Sequence, residues 1–253
     1  MNRPQHVRER PSEPSVPSRG LGMMAKYWIP GQVKTRLAKD TGDLVAADIH
    51  KHFTLRLGNR LANVADYRCV FVSPDEACDR MQTAITLGWL ALPQRDGDLG
   101  CRMKHAFQAL FLKCDPAKDA QVVLIGADLP TLSAAELEQA FASLVDHDVV
   151  LGPAMDGGYY AIGLRGPWQA EYEGLFTAIG WSTEQVFEQT RQVIRNASLD
   201  LAVLGMREDI DTLDSLHRLL QAEATESELK REIRRMLAVP APSTSNLHSQ
   251  YKS

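Results

Sequence analysis

Residues 121–130 read QVVLIGADLP, and the order of these ten residues decides the fold. Four apolar residues, Val122–Ile125, stand between a polar start and Gly126. The run is too short for a buried helix and rich in β-branched side chains, so it is a strand covered on both faces, as in a parallel sheet. Helical patterns flank it. Upstream, Leu99–Leu112 places Met103, Ala106, Phe107 and Leu110 on one face. Downstream, Ser133-Ala-Ala-Glu136 is a capping box that opens a helix to about Val145.

The same alternation extends in both directions. Short apolar runs predict strands at Leu21–Ala25, Arg68–Val72, Trp89–Leu92, Val149–Leu151, Tyr159–Leu164 and Leu199–Leu204. Helical spacing marks Leu44–Val64, Glu76–Leu87, 213–222 and 226–237, and Ser182-Thr-Glu-Gln185 reads as a second capping box opening a helix to about Arg195. Repeated strand–helix alternation predicts an α/β domain over residues 21–237, with a mostly parallel sheet and helices on both faces. Residues 1–20 and 238–253, rich in Pro and Ser, read as disordered tails.

Composition narrows the class. With 44% hydrophobic residues the 253-residue chain can bury a core, and a net charge of −4 gives no footprint of a nucleic-acid binder. No apolar run reaches the roughly 20 residues of a membrane span, and the start lacks a signal-peptide core, so a cytoplasmic protein is expected. Cys69, Cys78, Cys101 and Cys114 form no C-x-x-C pair and read as reduced, mostly buried thiols. His50 and His52 would point to different sides of a helix, which argues against a metal pair there.

In a parallel sheet, ligands bind beyond the carboxyl ends of the strands, so the chemistry is sought there. Beyond the first strand lies Trp28-Ile-Pro30-Gly31-Gln-Val-Lys34-Thr35-Arg36, a glycine turn followed by two cations, suited to phosphate or to plain solvation. The chain has no Walker A motif, and Gly20-Leu-Gly22-Met-Met-Ala25 lies within the first strand, where a dinucleotide fingerprint does not function. Beyond the third strand lies Gln94-Arg-Asp96-Gly97-Asp98-Leu99-Gly100, readable as an acidic helix cap or as a loop that meets a nucleobase. Asp128 follows the QVVLIG strand directly. A carboxylate there needs a partner, and Mg²⁺ or Mn²⁺ is one natural choice. Asp156-Gly157-Gly158-Tyr159 reads as a hairpin turn or as a ligand-facing backbone, and Asp209-Ile-Asp211-Thr212 as a helix cap or an acidic site. Together, five strand ends carry the groups that a nucleotide and one divalent cation require.

These motifs resemble a known family. Lys26-x-x-x-Pro30-Gly31-x-Val33-Lys34-Thr35-Arg36-Leu37, Gly97-Asp98-Leu99-Gly100-x-Arg102-Met103, Ile125-Gly126-x-Asp128-x-Pro130, Gly152-Pro153-x-x-Asp156-Gly157-Gly158-Tyr159, Trp181-Ser182-Thr183 and Asp209-Ile210-Asp211-Thr212 follow in order. The chain is thereby similar to the bacterial GT-A-like transferases found beside radical-SAM proteins and labelled arsenosugar-biosynthesis glycosyltransferases. More distantly it is similar to the guanylyltransferases of molybdenum cofactor and of phospholactate. The likeness covers about residues 21–220, and Tyr27-Trp28-Ile29 departs from a pattern with a second proline near Trp28.

The resemblance implies a nucleotide-diphospho-sugar transferase fold. It implies that Lys26, Gly31, Lys34, Thr35 and Arg36 meet phosphates, and that Gln94 and Gly97 to Gly100 face the base. It further implies Mg²⁺ or Mn²⁺ at Asp128 and Asp211, and an acceptor near Asp156, Gly157, Gly158, Tyr159 and Trp181, with Asp156 and Asp128 as catalytic groups. Three functions fit: a glycosyltransferase joining a nucleotide-sugar donor to a small-molecule acceptor, a nucleotidyltransferase using a nucleoside triphosphate, and a non-catalytic nucleotide-binding subunit.

Overall fold

A computed structural model describes residues 19–85, 88–114, 120–177 and 179–238. Its strands are β1 (Arg19–Lys26), β2 (Tyr67–Ser73), β3 (Trp89–Pro93), β4 (Gln121–Gly126), β5 (Val149–Pro153), β6 (Tyr159–Arg165) and β7 (Leu201–Val203). Its helices are α1 (Thr35–Thr41), α2 (Asp43–Arg60), α3 (Cys78–Ala84), α4 (Leu99–Phe111), α5 (Ala134–Asp146), α6 (Gly174–Thr177), α7 (Val186–Asn196), α8 (Leu213–Gln221) and α9 (Ser227–Leu237). The strands form one seven-stranded sheet in the order β3-β2-β1-β4-β6-β5-β7. β1 pairs in parallel with β2 and β4, β2 with β3, and β5 with β7. β6 runs antiparallel to both neighbours.

Alternation along β4 shows how the layers arise. Val123 and Ile125 join a core with Leu57 of α2, Met81 of α3 and Phe141 of α5. Val122 and Leu124 face the opposite core, with Phe107 and Leu110 of α4 and Ile194 of α7. Both sides of a two-residue period are therefore buried, which accounts for the unbroken apolar run. A third core joins Leu37, Ile49, Phe53, Ile210, Leu216 and Ile233, binding α1, α2, α8 and α9 together. This third core brings the loop before α1 against the loop before α8.

Several expectations need correction. The Ser133 box forms, with Glu136 N donating to Ser133 Oγ at 3.2 Å. The expected box at Ser182 does not: Ser182 takes φ +66°, Thr183 Oγ1 donates back to the Gly180 carbonyl, and α7 begins only at Val186. The cap before α8 is Thr212, paired with Ser215, so Asp211 is relieved of that role. β1 begins at Arg19, two residues earlier than expected. The two expected tails otherwise lie outside the described residues, apart from Ala238, as do residues 86–87 of the helix expected over Glu76–Leu87. Cys69 and Cys114 are buried, Cys78 is half-buried and Cys101 is exposed, all free thiols. No helix among the described residues is long and apolar enough to cross a membrane.

Candidate active site

A cavity of about 440 Å³ opens beyond the carboxyl ends of β1 and β4. Of the residues singled out from sequence, Lys26, Lys34, Thr35, Arg36, Gln94, Leu99, Asp128, Tyr159 and Asp211 line it, and His50, Arg102 and Asp209 join them. Gly31, Gly97, Asp98, Gly100, Asp156, Gly157, Gly158 and Trp181 stand outside its lining.

At its floor lies one ammonium among oxygens. Lys34 Nζ is 2.5 Å from Asp128 Oδ1 and 2.7 Å from Asp211 Oδ1, and it donates to the Ile210 carbonyl at 2.7 Å. The Lys34 side chain is 2% exposed, whereas the Asp128 side chain is 41% exposed. The backbone explains the convergence: Leu37 and Ile210 share a core, and Ile210 N donates to the Asp128 carbonyl at 3.1 Å. Burial alone would lower the Lys34 pKa; Asp128 and then Asp211 outweigh it and raise it. Burial likewise works against the Asp128 charge, but Lys34 and then His50 hold that carboxyl well below the usual range. Lys34 thus faces carboxylates rather than open cavity, a position that its place in a basic turn did not suggest.

Negative charge remains in excess around this floor. Asp209 is pushed up to about 7 by burial first, then by Asp128, Asp156 and Asp211, with Lys34 only partly compensating. Asp156 Oδ1 accepts from Gly158 N at 2.9 Å in the turn after β5, which leaves Oδ2 of that carboxylate for other contacts.

Sequence reading considers His50 only as half of an H-x-H pair and sets it aside. It lies on α2, 5% exposed, and its Nε2 donates to the Lys26 carbonyl at 2.9 Å. That bond leaves Nδ1, which has no hydrogen-bond partner, 3.6 Å from Asp128 Oδ1. Arg102 was also unassigned; its Nε donates to the Gly97 carbonyl at 3.0 Å and so fixes the turn before α4.

The remaining candidates have structural duties that limit what they can do. Gln94 donates its amide protons to the Ala25 and Phe71 carbonyls, at 3.2 and 2.9 Å, so the side chain keeps only Oε1 for a ligand. Asp98 caps α4, its Oδ1 accepting from Cys101 N at 2.8 Å, which lowers its pKa. Leu99 is 44% exposed at the rim. Tyr159 donates to Met103 Sδ at 3.9 Å, and burial pushes its phenol up. Gly31 takes φ +80° in the turn. Gly100 is required by close approach: a Cβ there would lie 2.1 Å from the Phe176 carbonyl and 2.6 Å from Trp181 Nε1. Gly157, at φ +89°, would place a Cβ 2.0 Å from the Glu184 carbonyl.

Comparison with known proteins adds the following. A family described as "Uncharacterized protein conserved in bacteria (DUF2064)" matches residues 54–183. A solved structure from Desulfovibrio desulfuricans G20, titled a "putative nucleotide-diphospho-sugar transferase", is 31% identical, with a TM-score of 0.76 over 87% of this chain and 96% of that one. CMP:2-keto-3-deoxy-manno-octonic acid synthetase, solved with CTP, is 11% identical, with a TM-score of 0.51 over 80% of this chain and 96% of that one. A nucleotidyl transferase from Methanothermobacter is 12% identical, with a TM-score of 0.51 over 86% and 98% of the two chains. No curated protein sequence matches. The fold is that of the nucleotide-diphospho-sugar transferases.

Proposed function

This chain belongs to the bacterial DUF2064 family, and from that premise we propose that it is a transferase that takes a nucleotide-diphospho-sugar donor and passes the sugar to a small-molecule acceptor, with Mg²⁺ or Mn²⁺ bound at Asp128 and Asp211. The observation that carries this reading is the pair of carboxylates, one just beyond β4 and one in the loop before α8, meeting on a single cation at the floor of a cavity lined by Lys26, Arg36 and Arg102.

The donor set fits a hard divalent cation. Asp128 and Asp211 present carboxylate oxygens, and the Asp209 carboxyl lines the same cavity beside them. Among the described residues no three His, Cys, Asp or Glu side chains close a cage. That suits Mg²⁺, which commonly takes one or two carboxylates and completes its shell with phosphates and water. A bound cation would neutralise the diphosphate leaving group.

The chain's own residues then divide the work. Lys26, Thr35, Arg36 and Arg102 meet phosphate oxygens with charge-assisted or hydroxyl hydrogen bonds. Gln94 Oε1 and the rim at Leu99 face the base. Asp156, with its second oxygen directed by the Gly157–Gly158 turn, is the candidate base for the acceptor hydroxyl. The positively charged groups around the cavity also favour a second reading, nucleotidyl transfer, because a triphosphate carries more charge than a nucleotide-sugar.

A thermal-shift panel of sugar nucleotides and nucleoside triphosphates, each with and without Mn²⁺, tests the proposal. A ligand at about 100 times its dissociation constant adds about 2.7 kcal/mol. Metal-dependent stabilisation by a sugar nucleotide is expected; stabilisation by triphosphates alone would select nucleotidyl transfer.

A further inference from the structure

We propose that Lys34 is a displaceable internal counter-cation: it holds Asp128 and Asp211 together in the metal-free protein, and a divalent ion takes its place and releases the ammonium toward the nucleotide phosphates. The inference rests on the transferase reading above and assigns Lys34 a role in two successive states of that site.

Three observations carry it. An ammonium has three N–H donors, and all three are engaged, by Asp128 Oδ1, Asp211 Oδ1 and the Ile210 carbonyl. With its side chain 2% exposed, Lys34 has nothing left to offer a phosphate until one of these contacts breaks. Second, Nζ sits on the carboxylates of Asp128 and Asp211, the two residues that would hold a divalent ion, so ammonium and metal would compete for them. Third, the segment around Lys34 is held at both ends. Tyr27 and Trp28 stack at 4.4 Å between Arg80, 4.6 Å above Tyr27, and Lys51, 5.6 Å above Trp28. On the other side Leu37 is fully buried. Lys34 itself has φ +47° and no side-chain cap at the start of α1. With the flanks anchored, displacement is a swing of the Lys34 side chain toward the cavity that the exposed Arg36 also lines.

The alternative is that Lys34 stays on the carboxylates and the metal binds beside it. Two measurements separate these. Amine acetylation read by mass spectrometry, with Lys39 as the exposed reference, should find Lys34 protected in metal-free wild type and labelled after Mn²⁺ alone is added. In calorimetry, Lys34→Met should bind Mn²⁺ about tenfold more tightly than wild type, since no buried ammonium has to be displaced. Continued protection of Lys34 at saturating Mn²⁺, or an equal or weaker Mn²⁺ affinity in Lys34→Met, overturns the proposal. So does failure of both proteins to bind Mn²⁺. If Lys34→Met does not fold, labelling of the wild type decides. Sugar-nucleotide binding with Lys34 still protected overturns the displacement and leaves the transferase reading intact. Labelling induced by Mn²⁺ in a protein that binds no nucleotide keeps the displacement and removes the transferase reading.

Discussion

The Lys34 ammonium lies 2.7 Å from Asp211 Oδ1, joining residues 177 positions apart in the chain. The contact ties the loop before α1 to the loop before α8, and the core around Leu37 and Ile210 sets the distance. Lys34→Met in metal-free buffer should therefore lower unfolding stability by about 1–3 kcal/mol, reduced by the exposure of the two carboxylates from what a fully buried pair would lose. Urea unfolding measures it, and an unchanged midpoint would mean that the ammonium contributes nothing to the metal-free fold.

Arg36 is exposed at the cavity, and among the described residues its side chain makes no hydrogen bond or ion pair. Arg36→Ala should weaken nucleotide binding by about 1.5–3 kcal/mol, the worth of a hydrogen bond to a charged group, with stability unchanged. Wild-type affinity in a titration would reduce the residue to a solvated turn.

Gly100 and Gly157 are predicted to resist the smallest substitution. Gly100→Ala would press its methyl against the Phe176 carbonyl and the Trp181 ring, and Gly157→Ala against the Glu184 carbonyl. Each should cost about 1–3 kcal/mol of stability by overpacking, with added strain at Gly157 from its positive φ. A thermal midpoint equal to wild type in either variant would contradict the packing described.

Glu136 makes stability depend on acid. Burial opposes its charge, but Ser133 and then Arg207, whose Nε donates at 2.7 Å, outweigh that and lower its pKa. A lowered carboxyl stabilises the fold above its unfolded value of about 4.3, and that contribution disappears as pH falls through the folded value below it. The stability difference between wild type and Glu136→Gln should be full near neutrality, shrink as pH falls from the unfolded value through the lowered folded value, and vanish below it. A difference independent of pH would leave only loss of a capping hydrogen bond.

How much was readable in the sequence depended on whether the information was local. QVVLIG and the α4 face are decided by residues within a dozen positions, and both appear as expected. The Ser182 box failed because the pattern S-x-x-[EQ] does not say whether tertiary contacts allow helix there; Gln189 Oε1 instead accepts from Gly180 N. The antiparallel β6 follows from the Gly157–Gly158 turn, yet its placement between β4 and β5 is a long-range pairing. Asp128 and Asp211 were both visible as strand-end acids. Lys34 was visible as a cation expected on phosphate, but its pairing with them was not, because its neighbour in space is fixed by a core formed between helices at opposite ends of the chain. The approach of His50 to Asp128 was likewise a long-range contact that the H-x-H pattern did not show.

The central claim is that Asp128 and Asp211 hold one divalent cation on which nucleotide binding depends. Calorimetric titration of sugar nucleotide with Mn²⁺ into wild type, Asp128→Asn, Asp211→Asn and the double variant tests it most directly. Residues that act as one unit do not add their losses. Each single variant should abolish Mn²⁺-dependent binding, and the double variant should be hardly worse than either. Intact Mn²⁺-dependent binding in Asp211→Asn, or losses that simply sum, would contradict the account.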